Sequence, residues 1–358
     1  METHQLDDRS RNILLQTISD YISTAEPIGS RALSKNLREK LSPATIRNVM
    51  ADLEDMGYLQ QPHPSAGRIP TDWGYRFFVD QILKLNAQSA PNIYIGREDY
   101  SLGAMDQTLE GVLEKTCNLL SENSKQTSLV MPPVFSNMLL KQANFIKVGK
   151  NEALAVFITE MGALENKVIR IETDYTQESL TSISNYLNQE FSGKSLKAIR
   201  EEIMARMRNE KEHYDQLMKK ASELWARVFP DEEEVCDLYV NGLINFLDQP
   251  EFTIDMEKMK SLLKTVEEKS KLIQLLDKCM LQDGMTILIG DEHFIDEMQG
   301  CSLIAQNYLL DNQKMGAVAI FGPKRMDYKK MIPIVNTTAN TISELLAERK
   351  RRGALQSS

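Results

Sequence analysis

The apolar positions of the first 85 residues repeat with the period of amphipathic helices. Residues 7–24 predict a first helix, with Asp7 and Asp8 at its positively polarised end. Ser30 is a candidate N-cap for a short second helix over 31–37. A third helix is predicted to start at Ser42-Pro43 and to end at Met56 before Gly57, and its apolar stripe consists of Ile46, Val49, Met50 and Leu53.

A hairpin and a fourth helix follow in the pattern. Tyr58–Gln61 predicts a short strand, 62–67 (PHPSAG) is turn-forming, and Arg68–Pro70 begins the returning strand. Residues 71–85 predict a connecting helix whose inner face carries Tyr75, Phe78, Val79 and Ile82. Three helices and then a hairpin is the element order of a winged helix-turn-helix DNA-binding domain.

The rest of the chain mixes helix and strand patterns. Strands are predicted at 128–131, 144–148, 153–159, 167–171, 285–290 and 316–322, and helices at 104–121, 178–191 and 328–350. Residues 194–281 are almost entirely helical in character, with an amphipathic stretch over 202–228 and an apolar one over 240–247. Strands on both sides of a helical block predict one α+β domain interrupted by an insertion.

The predicted fold class is therefore α+β and multidomain. We expect a winged helix-turn-helix over 1–85, a linker over 86–103, and an α+β domain in two parts, with a mostly helical insertion between them. The two parts are 104–193 and 283–358, and the insertion is 194–282.

Charge and composition narrow the function classes. The net charge is −9, but Ile28–Met50 holds five cations against one anion, Glu39, which allows a local phosphate-binding surface. No apolar run is long enough to span a membrane, and the polar N-terminus does not resemble a secretory signal. The four cysteines are widely spaced and form no C-x-x-C pair, which is typical of reduced thiols in a cytoplasm.

The third helix carries the main candidate DNA-binding residues. In the major groove, Arg47 can bond a guanine and Asn48 an adenine, while Thr45 can meet a phosphate or a thymine methyl. The capping Ser42 at the start of the helix is counted among the DNA-binding candidates as well. Ser30 and Arg31 are candidates for a backbone phosphate, and Arg68 for the minor groove or a phosphate. The plainer alternative is a solvated helix face, but the cap, the basic stretch and the hairpin all favour DNA.

Two other functions remain open at this stage. One is a regulator gated by a small molecule in the α+β domain, although no convergent polar cluster calls for one. The other is an enzyme with Cys301 as nucleophile and His293 nearby, against the simpler interpretation of Cys301 as a small residue starting a buried helix. The histidines lack metal-ligand spacing, and no phosphate-binding glycine loop occurs, so no metal or other cofactor is predicted.

Four segments carry a family resemblance. The chain reads SPATIRNVMADLEDMGYL and then HPSAGRIPTDWGYR near its start, and IGDEHFIDEMQGCSLIAQNY and GAVAIFGPKRMDYKKMIPIV further on. These segments resemble the heat-inducible transcription repressor HrcA family. The resemblance implies a GAF-like α+β domain, an inserted dimerisation domain, and a cytoplasmic, non-enzymatic homodimer. It also implies repression of chaperone operons at an inverted-repeat operator, CIRCE, with activity promoted by the chaperonin GroEL.

Overall fold

The computed structural model describes residues 6–37, 41–86, 108–133, 138–160, 164–171, 174–196, 238–246 and 256–355, together with eight single positions between 198 and 227. It begins with three helices, α1 (Asp8–Thr24), α2 (Ser30–Asn36) and α3 (Pro43–Asp55). The Asp7 side chain caps α1 by accepting from the Ser10 N–H at 2.8 Å. The predicted helices are thus present, each within two residues of its expected limits.

The hairpin and the fourth helix are also present. Strands β1 (Leu59–Gln60) and β2 (Ile69–Pro70) pair antiparallel, and α4 (Asp72–Asn86) follows. The predicted inner face of α4 is buried at all four positions, Tyr75, Phe78, Val79 and Ile82. The linker predicted from 86 to 103 lies outside the described residues beyond its first position.

A five-stranded antiparallel sheet forms the centre of the molecule, in the order β7-β3-β10-β9-β8. Its strands are β3 (Thr127–Met131), β7 (Tyr239–Asn241), β8 (Met285–Ile289), β9 (Cys301–Leu310) and β10 (Gln313–Pro323). Successive side chains of a strand point to opposite faces. Val318 and Ile320 accordingly join one apolar core, whereas Ala319 and Phe321 join another.

Helices cover both faces of this sheet. On the face of Val318 lie α5 (Leu109–Ser124) and the last helix, α9 (Tyr328–Leu355). On the other face lie α7 (Met256–Glu267) and α8 (Lys269–Leu281). This is a three-layer arrangement, and it explains why β9 and β10 are buried at nearly every position rather than at alternate ones.

A second sheet has its own core. Strands β4 (Leu140–Gly149), β5 (Glu152–Thr159) and β6 (Leu164–Arg170) form it in chain order, and α6 (Gln177–Phe191) packs on one face. The core between them includes Phe145, Phe157, Phe191 and Trp225. No strand of this sheet pairs with a strand of the central sheet in the described part of the chain.

Sheet membership divides the chain differently from the predicted domain limits. Residues 104–193 were expected to be one part of a single domain, but β3 belongs to the central sheet, whereas β4–β6 belong to the separate one. Helices α7 and α8 were assigned to the insertion at 194–282, yet both pack on the central sheet. The chain therefore leaves the central sheet after β3 and returns at β7. Strands that pair across such long stretches of sequence leave no local pattern from which the pairing could be predicted.

The structure also differs from the helix predicted to start at Cys301. Cys301 was expected to start a helix, but it is the first residue of strand β9, where it pairs with Pro323 at the end of β10. It is fully buried, and that burial raises the pKa of its thiol. A thiol kept protonated and inaccessible is a poor nucleophile, so the structure gives the enzyme alternative no support.

His293 lies buried beside the end of β8. Its burial leads to a testable prediction about how the stability of the fold depends on pH. The residue is 3% exposed, and neither ring nitrogen makes a hydrogen bond of good geometry among the described residues. Burial lowers the pKa of His293 to about 4, although the backbone of Cys301 and the carboxylates of Glu292 and Asp72 act in the opposite direction. Because protonation is favoured only after unfolding, this histidine destabilises the fold as the pH falls from about 6.5 towards 4.

Between pH 7.5 and 5.0, this effect should lower the free energy of unfolding by about 2 kcal/mol. Urea denaturation at one fixed protein concentration would measure it for the natural chain and for His293→Leu. The variant should lose that share of the pH dependence. An identical pH dependence in both proteins would mean that His293 does not titrate on unfolding.

Candidate nucleic-acid interface

Helix α3 presents one buried and one exposed face. Ile46, Met50 and Leu53 are buried against the other helices, and Val49 is half-buried. Arg47 and Asn48 lie on the exposed face in the first half of the helix. The helix is thus held by its apolar stripe while its polar side chains stay accessible.

A local cap fixes where α3 begins. The Ser42 Oγ accepts a hydrogen bond from the Thr45 N–H at 3.1 Å, and the two hydroxyl oxygens are 2.9 Å apart. Pro43 occupies the first helical turn, where a missing N–H costs nothing. The hydroxyls of Ser42 and Thr45 are therefore engaged with each other, and what Thr45 offers most freely to a partner is its methyl group.

The polar groups of Arg31, Arg47 and Asn48 are not engaged in this way. All three residues are exposed, and within the described residues their side chains make no hydrogen bond or ion pair. Lys35 is exposed on α2, which packs directly on α3. Arg38 and Lys40 lie outside the described residues. The first half of α3 and the neighbouring α2 thus combine available donors with positive charge.

Ser30 differs from its prediction. Gly29 is the N-cap of α2 with extended backbone, and Ser30 is the first helical residue, 9% exposed. A glycine N-cap supplies no side-chain acceptor, so the predicted capping hydroxyl is absent. A side chain with so little accessible surface is also poorly placed to meet a phosphate, which leaves Arg31 as the accessible member of that pair.

Arg68 is also engaged within the protein. Its guanidinium forms an ion pair with Glu54 of α3 at 2.7 Å, with only 19% of the side chain exposed. Its backbone exchanges two 2.9 Å hydrogen bonds with Ile28, in the turn between α1 and α2. The adjacent Gly67 packs so tightly on Ile28 that a Cβ would overlap the Ile28 carbonyl. Arg68 thus ties the hairpin to the helices.

Sequence reasoning missed three residues that order this surface. Glu54 holds Arg68, and Gln61 donates to the carbonyls of Pro64 and Ala66, both at 2.9 Å, which shapes the hairpin turn. Arg76 of α4 bonds to Glu292 beyond β8. The glutamine could have been suspected from its place beside a turn, but the two ion pairs join residues 14 and 216 positions apart and leave no local trace.

The chain is similar to known proteins along almost its whole length. A family model described as the HrcA protein C-terminal domain matches residues 110–332. The heat-inducible transcription repressor HrcA of Geobacter sulfurreducens is 40% identical over 341 residues, 95% of this chain and 98% of that protein. The protein of the same name from Syntrophobacter fumaroxidans is 36% identical over 344 residues, 96% of this chain and 98% of its own.

A solved structure is similar in fold. The crystal structure of a hypothetical protein at 2.2 Å resolution superposes with a TM-score of 0.64 and 22% sequence identity, covering 96% of this chain and 100% of that one. At that identity the likeness concerns the fold alone, and it extends from the N-terminal helices to the last helix.

The ion pair between Arg68 and Glu54 gives a prediction for the hairpin. In Glu54→Gln the partly buried pair is lost, at a cost of about 1 kcal/mol, while the helices stay packed. Hydrogen exchange at the Ile28 and Arg68 amides should then be about 5-fold faster. Asp55→Asn is the matched control, because Asp55 is exposed on the same helix turn. Equal exchange in all three proteins would show that the pair does not hold the hairpin.

Proposed function

The chain belongs to the heat-inducible transcription repressor HrcA family, and on that basis we propose that it is a dimeric repressor of chaperone operons that reads an inverted-repeat operator through α3. The single observation that carries the proposal is the accessible polar face of α3, with Arg47 and Asn48 exposed and uncommitted among the described residues. The proposed role is regulatory and not enzymatic, and its place is the cytoplasm.

The proposed reader is a winged helix-turn-helix formed by α1–α4 and the β1–β2 hairpin. Helix α3 would lie in the major groove with its first turns towards the bases. Arg47 would bond a guanine bidentately, Asn48 an adenine, and the Thr45 methyl would contact a thymine. Arg31 would hold a backbone phosphate. Ser42 would set the start of the helix, and Arg68 would position the wing through Glu54 rather than enter a groove.

The remaining domains follow from the two sheets. We assign the GAF-like domain to the central sheet with α5, α7, α8 and α9, and the inserted dimerisation domain to the segment between β3 and β7, which contains β4–β6 and α6. This division replaces the limits predicted from sequence. It is supported by the separate cores of the two units.

The dimer is supported by an apolar sheet face. The face of β4–β6 opposite α6 carries Ile146, Leu154 and Val168, which lie side by side across the three strands. Ile146 is 45% exposed and Val168 58% exposed. Contiguous exposed apolar residues on a sheet are typical of association surfaces. Two copies joined there would present two reading helices to the two halves of an inverted repeat.

The operator and the chaperonin are proposed from the family. We expect an operator of the CIRCE type and stimulation of binding by GroEL. An electrophoretic shift with an inverted-repeat chaperonin promoter, with and without chaperonin, tests both points. A promoter fragment with scrambled half-sites is the control. Equal affinity for the natural and the scrambled fragment would contradict the repressor proposal.

Arg47 provides the sharpest test of base reading. Arg47→Ala should cost about 1–3 kcal/mol of operator binding and relax the preference at one base pair, if its contact is bidentate to guanine. Arg47→Lys should recover little, because a lysine cannot form the paired contact. Lys84→Ala, an exposed cation on α4, is the control. A fall of about one unit in the salt slope, with base preference unchanged, would instead place Arg47 on a phosphate.

The dimer face has its own test. In Val168→Glu a charge enters the apolar face of the three-stranded sheet, and the dimer dissociation constant should rise about 100-fold. Sedimentation velocity across a dilution series measures that constant. Ile244→Glu serves as the control, because Ile244 is 69% exposed but lies outside this sheet. Dimerisation that survives Val168→Glu unchanged would move the interface elsewhere.

A further inference from the structure

A group of charged residues joins the N-terminal helices to the central sheet. Asp72 and Arg76 lie one turn apart at the start of α4, directly after the wing strand β2. Apart from Asp80 on the same helix, which lies 3.7 Å from Arg76, their partners are 211 to 252 positions away in the chain. All of these charged side chains are partly buried, with exposures between 21% and 36%. The cluster therefore spans two units at the point where they meet.

Asp72 is held from two sides. Its Oδ1 accepts from the Lys324 Nζ at 2.5 Å, and its Oδ2 accepts from the Asp291 N–H at 3.1 Å. The neighbouring Gly290 has a φ of +55°, and a Cβ there would overlap the Asp72 carboxylate. Only glycine fits both conditions without strain. The turn after β8 is thus shaped to receive this carboxylate.

Arg76 is held as firmly. Its guanidinium donates to both carboxylate oxygens of Glu292, with Nε to Oε1 at 2.7 Å, and also to the Ile287 carbonyl at 2.6 Å. Glu292 is itself oriented by the Ile289 N–H at 2.9 Å. A bidentate contact between arginine and a carboxylate fixes direction as well as distance. Arg76 therefore sets the angle at which α4 crosses the end of β8.

A third contact lies away from α4. Arg325, in the turn before α9, donates to the Ile22 carbonyl at 2.7 Å. That carbonyl is in the last turn of α1, where carbonyl groups lack partners within the helix. Three separate attachment points restrain rotation about any one of them. We call Asp72, Arg76, Glu292, Lys324 and Arg325 the ionic clamp.

Apolar packing beneath the clamp does not by itself fix the orientation of the N-terminal helices. The Tyr75 ring lies 6.1 Å from the Tyr328 ring between centroids, and both belong to the core shared with the sheet. Apolar burial is non-directional, so it favours contact without selecting one orientation. The clamp adds directional bonds on top of that contact. Its loss should free the orientation of the N-terminal helices without unfolding them.

We propose that Asp72 and Arg76 are positioning residues that fix the orientation of the reading head on the central sheet, and thereby the half-site spacing that a dimer accepts. This inference rests on the proposed function, because it concerns the same DNA-reading surface. Neither residue needs to touch DNA. Their contribution is to preorganise two reading helices at one separation, so that binding the second half-site costs little additional ordering.

The first test compares operators whose half-sites are moved apart or together by two base pairs. The natural chain should prefer one spacing by about 100-fold, and Arg76→Gln should reduce that preference to about 10-fold or less. Affinity for a single half-site should stay within about two-fold in both proteins. Arg76→Lys should restore part of the preference, since it keeps the charge but not the paired geometry. Lys84→Gln removes a charge from the same helix outside the clamp and should behave like the natural chain.

A second measurement needs no DNA. Spin labels at Lys35→Cys and Gln313→Cys, in a Cys236→Ser background diluted with unlabelled chain, report the distance between head and sheet by double electron–electron resonance. The distribution should be narrow in the natural sequence and broad in Arg76→Gln and Asp72→Asn. If the protein bound none of the operators, the repressor proposal would be contradicted. The spin-label distances would still show whether the clamp fixes the orientation of the N-terminal helices. Unchanged distance distributions, or an unchanged spacing preference in an operator-binding variant, would overturn the positioning role.

Discussion

The structure depends on one continuous apolar core that does not stop at the boundary between the N-terminal helices and the central sheet. Residues of α1–α4 share it with α5, α9 and the sheet residues Val318 and Ile320. Helix α4 links the two units, because its buried face contributes to that core while its first two turns carry Asp72 and Arg76 of the clamp. An N-terminal unit packed in this way, the proposed reading head, cannot move independently of the central sheet, since separating the two would expose apolar surface to water. Any change in head orientation must therefore be a sliding or rotation within contact.

The N-terminal elements could be predicted closely because their signals are local. A capping Ser42, a helical Pro43 and an apolar stripe in α3 all lie within 13 residues of one another. Pairing partners in the sheets lack such signals. Strand β9 was missed because it is buried on both faces and so has no alternation, which is the feature that marks a half-buried strand. Strand β7 has only three residues, too few for any period to be visible.

The candidate DNA-binding residues show the same difference between local properties, which the sequence reveals, and tertiary ones, which it does not. Sequence identifies which residue types could contact bases, and the accessible Arg47, Asn48 and Arg31 remain candidates because nothing among the described residues competes for them. It cannot tell whether a polar side chain is already occupied by a distant partner. Arg68 is occupied by Glu54, and Ser30 is covered because Gly29 took the capping position. Occupation and burial are tertiary properties, so residue type alone cannot separate accessible candidates from those engaged within the protein.

The distribution of charge along α3 supports one orientation on DNA. Arg47 lies in the first half, whereas Asp52, Glu54 and Asp55 lie in the second half, where the helix dipole disfavours anions. An arrangement that costs stability within a helix calls for a compensating use. The Glu54 carboxylate is paired with Arg68. The carboxylates of Asp52 and Asp55 would repel phosphates only at the C-terminal end of the helix. In an acidic chain, this asymmetry would turn the N-terminal turns of α3 towards the polyanion in the proposed complex without a large excess of cations, and selection among sequences would fall to the few uncharged and bidentate contacts proposed for the bases.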